Sequence, residues 1–570
     1  YQAPGSNAVE LAESVITTME EISQSFPEGI RYDVSLDATK PITAGIEEII
    51  ITLFIALALV IFVVFIFIQD WRATLIPTIA IPVSLIGSFI VFPLLGFTIN
   101  VLSLLGLVLA IGIVVDDAIV VVEAVQVNIS QGMTPREATN KAMSEVTAPV
   151  IATTLVLVAV FLPVATLGGI TGRLYQQFAI TITISVIFSS INALTLSPAL
   201  CFLLLKKPHS YKGLLGKFFG RFNRAFDRST DSYMSFTNVI TRKINRGLVF
   251  ILVTIFGILL LGRLIPGGFM PEEDMGYLFV NIQLPDAASL QRADVVARKV
   301  EKILQTYEEV EFITTATGYS LLSGSMSSNA GFIFVSLSDW GQRDRTAKEV
   351  VDILNKDFAS GILEAQVFAF APPAIPGLGN GSGFTLMLQD RGGYSPAYLS
   401  EQAVKFIQAA TKRPEIGSIF TTFRATVPQR YLEINRDKVL KAGIELNSIY
   451  TTVGAFLGGS YVNDFNRFGR LYKAYIQAEP EYRQNESQID LFFLKNSEGR
   501  SVPLSAFVNV HEIVGPDYTN RFNLYRAIEL TGGPASGYST TQSLDALEEV
   551  AKEVLPAEMG YQWSNMSYQE

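Results

Sequence analysis

The sequence is poor in the residues on which most soluble catalysts and secreted scaffolds depend. It holds one cysteine, Cys201, and two histidines, His209 and His511, among 570 residues. One thiol excludes an internal disulfide, and so few sulfur and imidazole ligands leave no spaced cluster for zinc. Cys201 sits in an apolar run and reads as packing. Charge is scarce too: 17% of residues are Asp, Glu, Lys or Arg, and the net charge of -10 argues against a nucleic-acid partner. Motifs of catalysis are also missing. There is no nucleophile elbow, phosphate loop or metal triad, and Gly377-Leu378-Gly379-Asn380-Gly381 follows prolines as a loop, without the strand-to-helix context that phosphate binding needs. No enzyme activity, resident metal or cofactor is expected. The chain starts at Tyr1 with neither an initiator Met nor a signal peptide, and it reads as an internal fragment of a longer protein.

What the sequence has in abundance is hydrocarbon. Its apolar residues make up 49% of the chain and the mean hydropathy is +0.34, high for a water-soluble protein of more than one domain. Residues 1–265 carry 17 basic and 17 acidic side chains, whereas 266–570 carry 26 basic and 36 acidic ones, so the acidic excess belongs to the second half. A helix needs about 20 apolar residues to cross a bilayer. Six runs of that order appear: Ile49–Ile68, Ala73–Gly96, Val101–Val122, Ala148–Leu167, Phe178–Leu205 and Leu248–Gly262. Lys and Arg near span ends stay on the cytoplasmic side. The connector Lys206–Arg246 holds ten of them against Asp227 and Asp231 and is placed inside. Within it Leu214, Leu215, Phe218, Phe219, Phe222 and Phe226 fall at helical spacing between basic residues, the pattern of a helix lying on an anionic leaflet. Counting back from this anchor puts residues 1–44 and everything after Leu264 outside together, with Gln69–Arg72 and a Val125–Thr147 loop inside.

Charge enters the six runs at one place. The third contains Asp116 and Asp117 in the stretch Ile113-Val114-Val115-Asp116-Asp117-Ala118-Ile119. A carboxylate in hydrocarbon costs several kcal/mol unless it is paired or protonated, so an intramembrane acid is a functional candidate by default. Two adjacent acids are suited to taking up and releasing protons; the structural alternative is a pair neutralised by a fixed cation. No Lys or Arg lies at comparable depth in the six runs, Arg263 being at an outer end, so partners are expected on helices outside this sequence. Glu123 reads as a solvated end residue.

After Ile265-Pro266-Gly267-Gly268 the pattern turns to short strands and amphipathic helices. Strands at 276–284, 311–317, 331–338 and 366–371, with helices at 288–305 and 345–358, give a split β-α-β-β-α-β order, for which a ferredoxin-like sandwich is the natural fold. A second unit runs through Gly383–Asp390, Pro396–Thr411 and Ser418–Arg424 and resumes at Ala527–Thr531, Thr541–Val554 and Gly560–Ser564, around an insertion of roughly 428–516. The chain also echoes itself: Gly5-Ser6-Asn7, a helix and Phe26 to Ser35 run parallel to Gly537-Tyr538-Ser539, a helix and Leu555 to Ser564. A duplicated plan of soluble domain plus spans is expected.

Several motifs in one order resemble a known family. Arg72-Ala73-Thr74-Leu75-Ile76-Pro77, Val115 to Glu123 around the two acids, Ser197-Pro198-Ala199-Leu200-Cys201, Phe334 to Trp340, Gly458 to Phe465 and Met566 to Glu570 are similar to those of the resistance-nodulation-division (RND) transporters, in the hydrophobe/amphiphile multidrug efflux branch. The resemblance covers essentially the whole chain. It implies a membrane α-helical bundle with six of twelve spans, plus an α+β periplasmic domain of ferredoxin-like porter subdomains with a docking insertion. Residues 1–44 would end one porter subdomain, 45–205 and 247–265 would hold the second to seventh spans, and 206–246 would be the cytoplasmic connector. Residues 266–376 would form one porter subdomain, 377–427 with 517–570 a second, and 428–516 the docking insertion. The resemblance further implies a homotrimer in the inner membrane that exports amphiphilic small molecules by proton antiport, with a periplasmic adaptor and an outer-membrane channel. Asp116 and Asp117 match the family's proton-relay acids. Phe334, Phe368 and Phe370 align with pocket phenylalanines, and Gly318 to Gly324 with a loop dividing two pockets. Tyr319 and Leu321 stand where the family often has Phe, and Thr314 replaces another aromatic, which leaves the substrate range open. A metal-exporting branch, with Met270, Met275 and Met326 as soft ligands, and a non-transporting role in protein export or lipid sensing are the alternatives.

Overall fold

The computed structural model describes residues 3, 5–206, 213–264, 268 and 273–570. The expected break at Ile265-Pro266-Gly267, together with Met270, His209 and the Lys207–Lys212 part of the basic connector, lies outside these described residues.

The first half is helical: α1 (Ala8–Ser23), α2 (Lys40–Ile68), α3 (Trp71–Ser88), a single turn α4 (Phe92–Leu95), α5 (Val101–Ser130), α6 (Pro135–Ala165), α7 (Gly169–Leu194), α8 (Leu196–Leu204), α9 (Leu214–Thr241) and α10 (Ile244–Leu264). Among the described residues six stretches are long and apolar enough to cross a membrane, and they contain or largely overlap the six expected runs. Polar residues set their ends. Asp70 accepts the Arg72 amide at 2.9 Å to start α3. Asn100 with Ser103 and Thr134 with Glu137 close reciprocal caps on α5 and α6.

Two expectations change here. Val125–Thr147, read as a loop, is helical apart from the turn at Gln131–Thr134, because Val125, Ile129, Ala138 and Ala142 are buried in one core with Val121 and carry α5 and α6 beyond the apolar run. The run Phe178–Leu205, read as one helix, is broken at Thr195 (φ -121°, ψ -65°). Pro198 has no amide to give the Leu194 carbonyl, so the helix restarts as α8.

α5 is the centre of the bundle and packs against α2, α3, α6 and α7. Close approach to α7 depends on small residues: a Cβ at Gly106 would stand 3.1 Å from the Phe178 carbonyl oxygen, and one at Gly87 2.9 Å from the Phe188 ring. The basic connector forms α9 as its spacing predicts. Its phenylalanines seat on the end of α2, with Phe219 6.0 Å from Phe65 and Phe222 5.3 Å from Phe67 between ring centres, and Asn223 accepts from Gln69 at 2.6 Å. α10 packs on α9, and its apolar surface is exposed all round.

The second half begins with β1 (Tyr277–Gln283), α11 (Leu290–Leu304), β2 (Val310–Ser320), β3 (Ser325–Leu337), α12 (Ala347–Gly361) and β4 (Gln366–Phe370). The antiparallel sheet has the order β2-β3-β1-β4. Leu278, Val280, Ile282, Ile333 and Val335 alternate toward α11 and α12, whose buried Val296, Val300, Val350 and Leu354 complete the core. A second unit repeats the plan with β5 (Phe384–Asp390), α13 (Pro396–Ala410) and β6 (Ile416–Phe420). Then comes an excursion: β7 (Val427–Ile434), α14 (Arg436–Lys441), α15 (Leu446–Val453), β8 (Ser460–Arg467), β9 (Arg470–Ile476), β10 (Phe493–Lys495), β11 (Ser501–Pro503) and β12 (Val508–Gly515). The unit closes with β13 (Asn520–Phe522), β14 (Tyr525–Pro534), α16 (Thr540–Val554), β15 (Met559–Trp563) and α17 (Asn565–Gln569). β14 lies between β5 and β6, and β15 flanks β5. The excursion leaves and returns through the β7–β12 ladder and has its own core of Val439, Ile449, Phe492 and Leu504. From it projects the β8–β9 hairpin with Tyr461, Phe465, Phe468, Tyr475 and Ile476 exposed.

The internal echo is half present. Its second copy is α16 and β15, but in the first copy α1 is followed by residues 30–37 without strand pairing among the described residues. Those residues lean on the first sheet instead: Ser336 donates to the Ser35 carbonyl at 2.6 Å, and Lys40 lies 3.9 Å from Glu311. The sheet-rich half thus sits at the Lys40 end of α2 and α9 at the Ile68 end, separated by 29 residues of helix.

Candidate functional site

Two groups of side chains stand apart from ordinary packing. The first is in the bundle. On α5, Val114, Val115, Ala118, Val121 and Val122 are buried, and the acids follow the helix rotation out of that core. Asp117 is half-buried and turns toward α7, where Ser189 donates to its Oδ2 at 2.8 Å. The same Ser189 oxygen is 2.9 Å from the Val114 carbonyl. A hydroxyl has one proton to give and can accept another. With Asp117 ionised, Ser189 donates to the carboxylate; with Asp117 protonated, the acid donates to Ser189, which turns its own proton to Val114. Both protonation states are therefore satisfied without moving a helix. Thr181, Ser185, Ser189 and Asn192 are buried on one face of α7, and Asn192 donates to Ser84 of α3 at 2.8 Å, so a small-residue polar seam runs along the inside of the bundle.

Asp116 points the other way. It is exposed within a stripe of Leu105, Leu109, Gly112, Asp116 and Val120, all on one face of α5. Among the described residues no Lys or Arg pairs with either acid. Glu123 is exposed further along the same helix, toward its Ser130 end.

The second group covers the helix-free face of the first sheet. Cross-strand register stacks Phe334, Phe279 and Phe370 in one row and Phe332, Asn281 and Phe368 in the next. Ring centres of Phe279 lie 5.5 Å from Phe334 and 5.7 Å from Phe370, Phe332 lies 4.9 Å from Phe334, and Phe368 reaches Phe420 of the second sheet at 4.4 Å. Phe334, Phe368 and Phe370 are thus brought together, half-buried and away from the helix-backed core. Tyr319 and Leu321 are not part of this ring network among the described residues. Tyr319 is paired with Met326 at the far end of β2, and Leu321 starts the turn beyond it. The expected Gly318–Gly324 loop is shorter than its sequence suggests, since pairing continues to Ser320 and Ser325 and leaves a turn at 321–324. Gly318 (φ +85°) forms a bulge in β2 where a Cβ would meet Leu290 at 2.8 Å, and Gly324 (φ +65°) closes the turn. Sequence reading missed Ser189, Phe279, Phe332 and Asn281; strand alternation in Tyr277–Gln283 and Gly331–Leu337 was the available signal for the last three.

Of the three methionines in the metal-exporting alternative, the two among the described residues are not brought together. Met326 lies at the start of β3 and Met275 precedes β1, whose Tyr277 pairs with Ser336. Ten residues of strand at about 3.3 Å each keep them some tens of ångströms apart, and no group of three or more His, Cys, Asp or Glu among the described residues could hold a metal.

A bundle of membrane-length helices with paired acids at midspan, carrying a sheet-rich domain with an aromatic face, defines an integral membrane protein with a large domain outside the bundle. The chain belongs to the AcrB/AcrD/AcrF family, which matches it over residues 1–570. It is 37% identical over 576 residues to a toluene efflux pump membrane transporter, TtgB, of Pseudomonas putida, an alignment covering 100% of this chain and 54% of that protein. It is 37% identical over 578 residues to the multidrug export protein AcrF of Escherichia coli, covering 100% and 55%. With the multidrug resistance protein MdtF of Escherichia coli it shares 34% over 574 residues, covering 100% and 55%. The chain spans about half the length of the curated relatives it matches.

Proposed function

We propose that this chain is the central part of an RND pump that expels amphiphilic or hydrophobic compounds in exchange for protons, with Asp116 and Asp117 as the proton relay. The observation that carries this reading is the Asp117–Ser189–Val114 arrangement: an acid at the middle of a membrane-length helix has a hydroxyl partner able to serve it in both protonation states. Asp116, on an otherwise apolar stripe, needs a covering element with a positive or proton-donating group, supplied by spans outside this chain. The four-stranded sheet and its split repeat then serve as ferredoxin-like porter subdomains (266–376, and 377–427 with 517–570). The excursion 428–516 serves as a docking insertion, and 206–246 as a cytoplasmic surface helix. Phe334, Phe368 and Phe370 provide a geometrically tolerant contact face for substrate, with Tyr319, Leu321, Gly318 and Gly324 at the hairpin that borders it.

An inner-membrane homotrimer working with a periplasmic adaptor and an outer-membrane channel completes the reading. The exposed β8–β9 hairpin supports the homotrimer. A two-stranded ribbon with this much aromatic surface is marginal alone in water, and a neighbouring copy would cover it. The efflux reading is tested in proteoliposomes holding the full-length pump under an imposed pH gradient. Asp116→Asn and Asp117→Asn should each abolish gradient-driven export without lowering the amount of protein inserted. Export at the wild-type rate by both variants, or export indifferent to collapse of the gradient, would refute it.

A further inference from the structure

One side chain on the aromatic face is out of character. Asn281 sits in the middle of β1, facing away from α11 and α12, with 1% of its surface exposed. Its cross-strand partners are Phe332 and Phe368, and Phe279 is the next residue along the strand on the same face. None of these three side chains can donate a hydrogen bond, and the Asn281 Oδ1 atom is buried with no partner. The next side chain toward the sheet end, Gln283, cannot relieve it, because its Nε2 is committed to the carbonyls of Leu284 and Asn329 at 3.2 and 3.3 Å. A buried acceptor left without a donor is a standing cost that folded proteins rarely keep for packing alone. Gln283 also lines a cleft of about 120 Å³, with Ser325, Asn329, Arg424 and Tyr518. Polar space therefore begins one rung from Asn281, while rings surround it on its other sides.

We propose that Asn281 is a specificity-determining residue: its amide oxygen accepts a hydrogen bond from an N–H or O–H group on a ring-bearing solute that enters beside the half-buried Phe368 by parting the buried rings of Phe279 and Phe332, which close over Asn281 in this structure. The face then selects aromatic amphiphiles that carry a donor over those of the same shape that lack one. An apolar wall alone discriminates poorly between isosteres, whereas a buried polar group that must be satisfied rejects the ligand that cannot satisfy it. This inference rests on the efflux reading above.

The test uses the purified full-length pump and two fluorescent probes, N-phenyl-1-naphthylamine, whose single N–H is its one donor, and its N-methyl derivative. Wild type should bind the N–H probe about five- to tenfold more tightly. Asn281→Leu should erase that preference and bind the N-methyl probe at least as well as wild type does. Asn281→Met replaces it should the leucine variant fail to insert. Equal binding of both probes by wild type, preference retained in the variants, or equal loss of both probes would overturn the assignment. Transport of the probes is read separately in vesicles: preferential binding without gradient-driven export would leave Asn281 its role and sink the efflux reading.

Discussion

Replacing Asp274 by Asn should loosen the first sheet at one corner. The Arg343 side chain is 2% exposed, and its Nη2 lies 2.6 Å from Asp274 Oδ1. Its Nε donates to the Ser338 carbonyl (3.0 Å) and its Nη1 to the Arg345 carbonyl (2.8 Å). The carboxylate also accepts from the amides of Ala347 (2.8 Å) and Gly276 (3.0 Å), so one acid ties the entry of β1 to the first turn of α12. An Asn can keep one amide bond but leaves a buried cation without its counter-charge, a loss of about 3 kcal/mol, or about a hundredfold in local opening. Hydrogen exchange on the full-length pump in nanodiscs should show that loss of protection in peptides spanning 274–280 and 343–350, with peptides from β5 unchanged. The pH dependence has a definite sign. Burial pushes the Asp274 carboxyl up, but the hydrogen bonds from Arg343, Ala347 and Gly276 and the guanidinium charge outweigh it, and the group ends below its ordinary value of 3.8. An acid depressed on folding stabilises fully above its unfolded value and loses that contribution as pH falls through the lowered folded value. Wild type and variant should therefore differ throughout the neutral range and converge only in strong acid. Equal protection at pH 7 would refute the reasoning.

Ser189→Ala should slow gradient-driven export about tenfold and move its pH profile, and Ser189→Thr should restore both; an unchanged profile would remove Ser189 from the relay. Burial holds the Glu529 carboxyl above its ordinary value of 4.5, so its charge costs stability at neutral pH. Glu529→Gln should accordingly unfold at a higher temperature at pH 7.5, with the gap closing as pH drops below that ordinary value; a less stable variant at pH 7.5 would contradict this. Phe465→Glu with Tyr475→Glu should convert the proposed trimer to monomers by native mass measurement in detergent, and an intact trimer would assign the hairpin another partner.

Much of this architecture is legible in the residues because lipid imposes a coarse code. Runs such as Ile49–Ile68 are long and apolar enough to span a bilayer, and the helical spacing of Leu214, Leu215, Phe218, Phe219, Phe222 and Phe226 identifies α9 before any coordinates. What hydropathy misses lies where helices outlast the apolar run. Asn128 and Ser130 look like loop, yet they continue α5 because Val125 and Ile129 still meet α6. The polar start of β3, Ser325 to Asn329, hides a strand whose pairing is set by the hairpin and not by alternation. At the site, Asp116 and Asp117 are conspicuous as charges in hydrocarbon. Ser189 is one of many hydroxyls in an apolar helix, and only the approach of α7 to α5 singles it out. Phe332 and Asn281 needed the strand register, since their meaning comes from which face they share.

The ladder joining the excursion to the second sheet carries a mechanical consequence. Eight cross-strand pairs, from Val427 opposite Gly515 to Ile434 opposite Val508, make a boom with a single root beside β6 and β13. At about 3.3 Å per residue its length is roughly 26 Å, so rocking the root by about 10° would swing the far end through about 4.5 Å. A tilt of the second sheet would thereby be magnified at the far end of the ladder, at Ile434 and Val508.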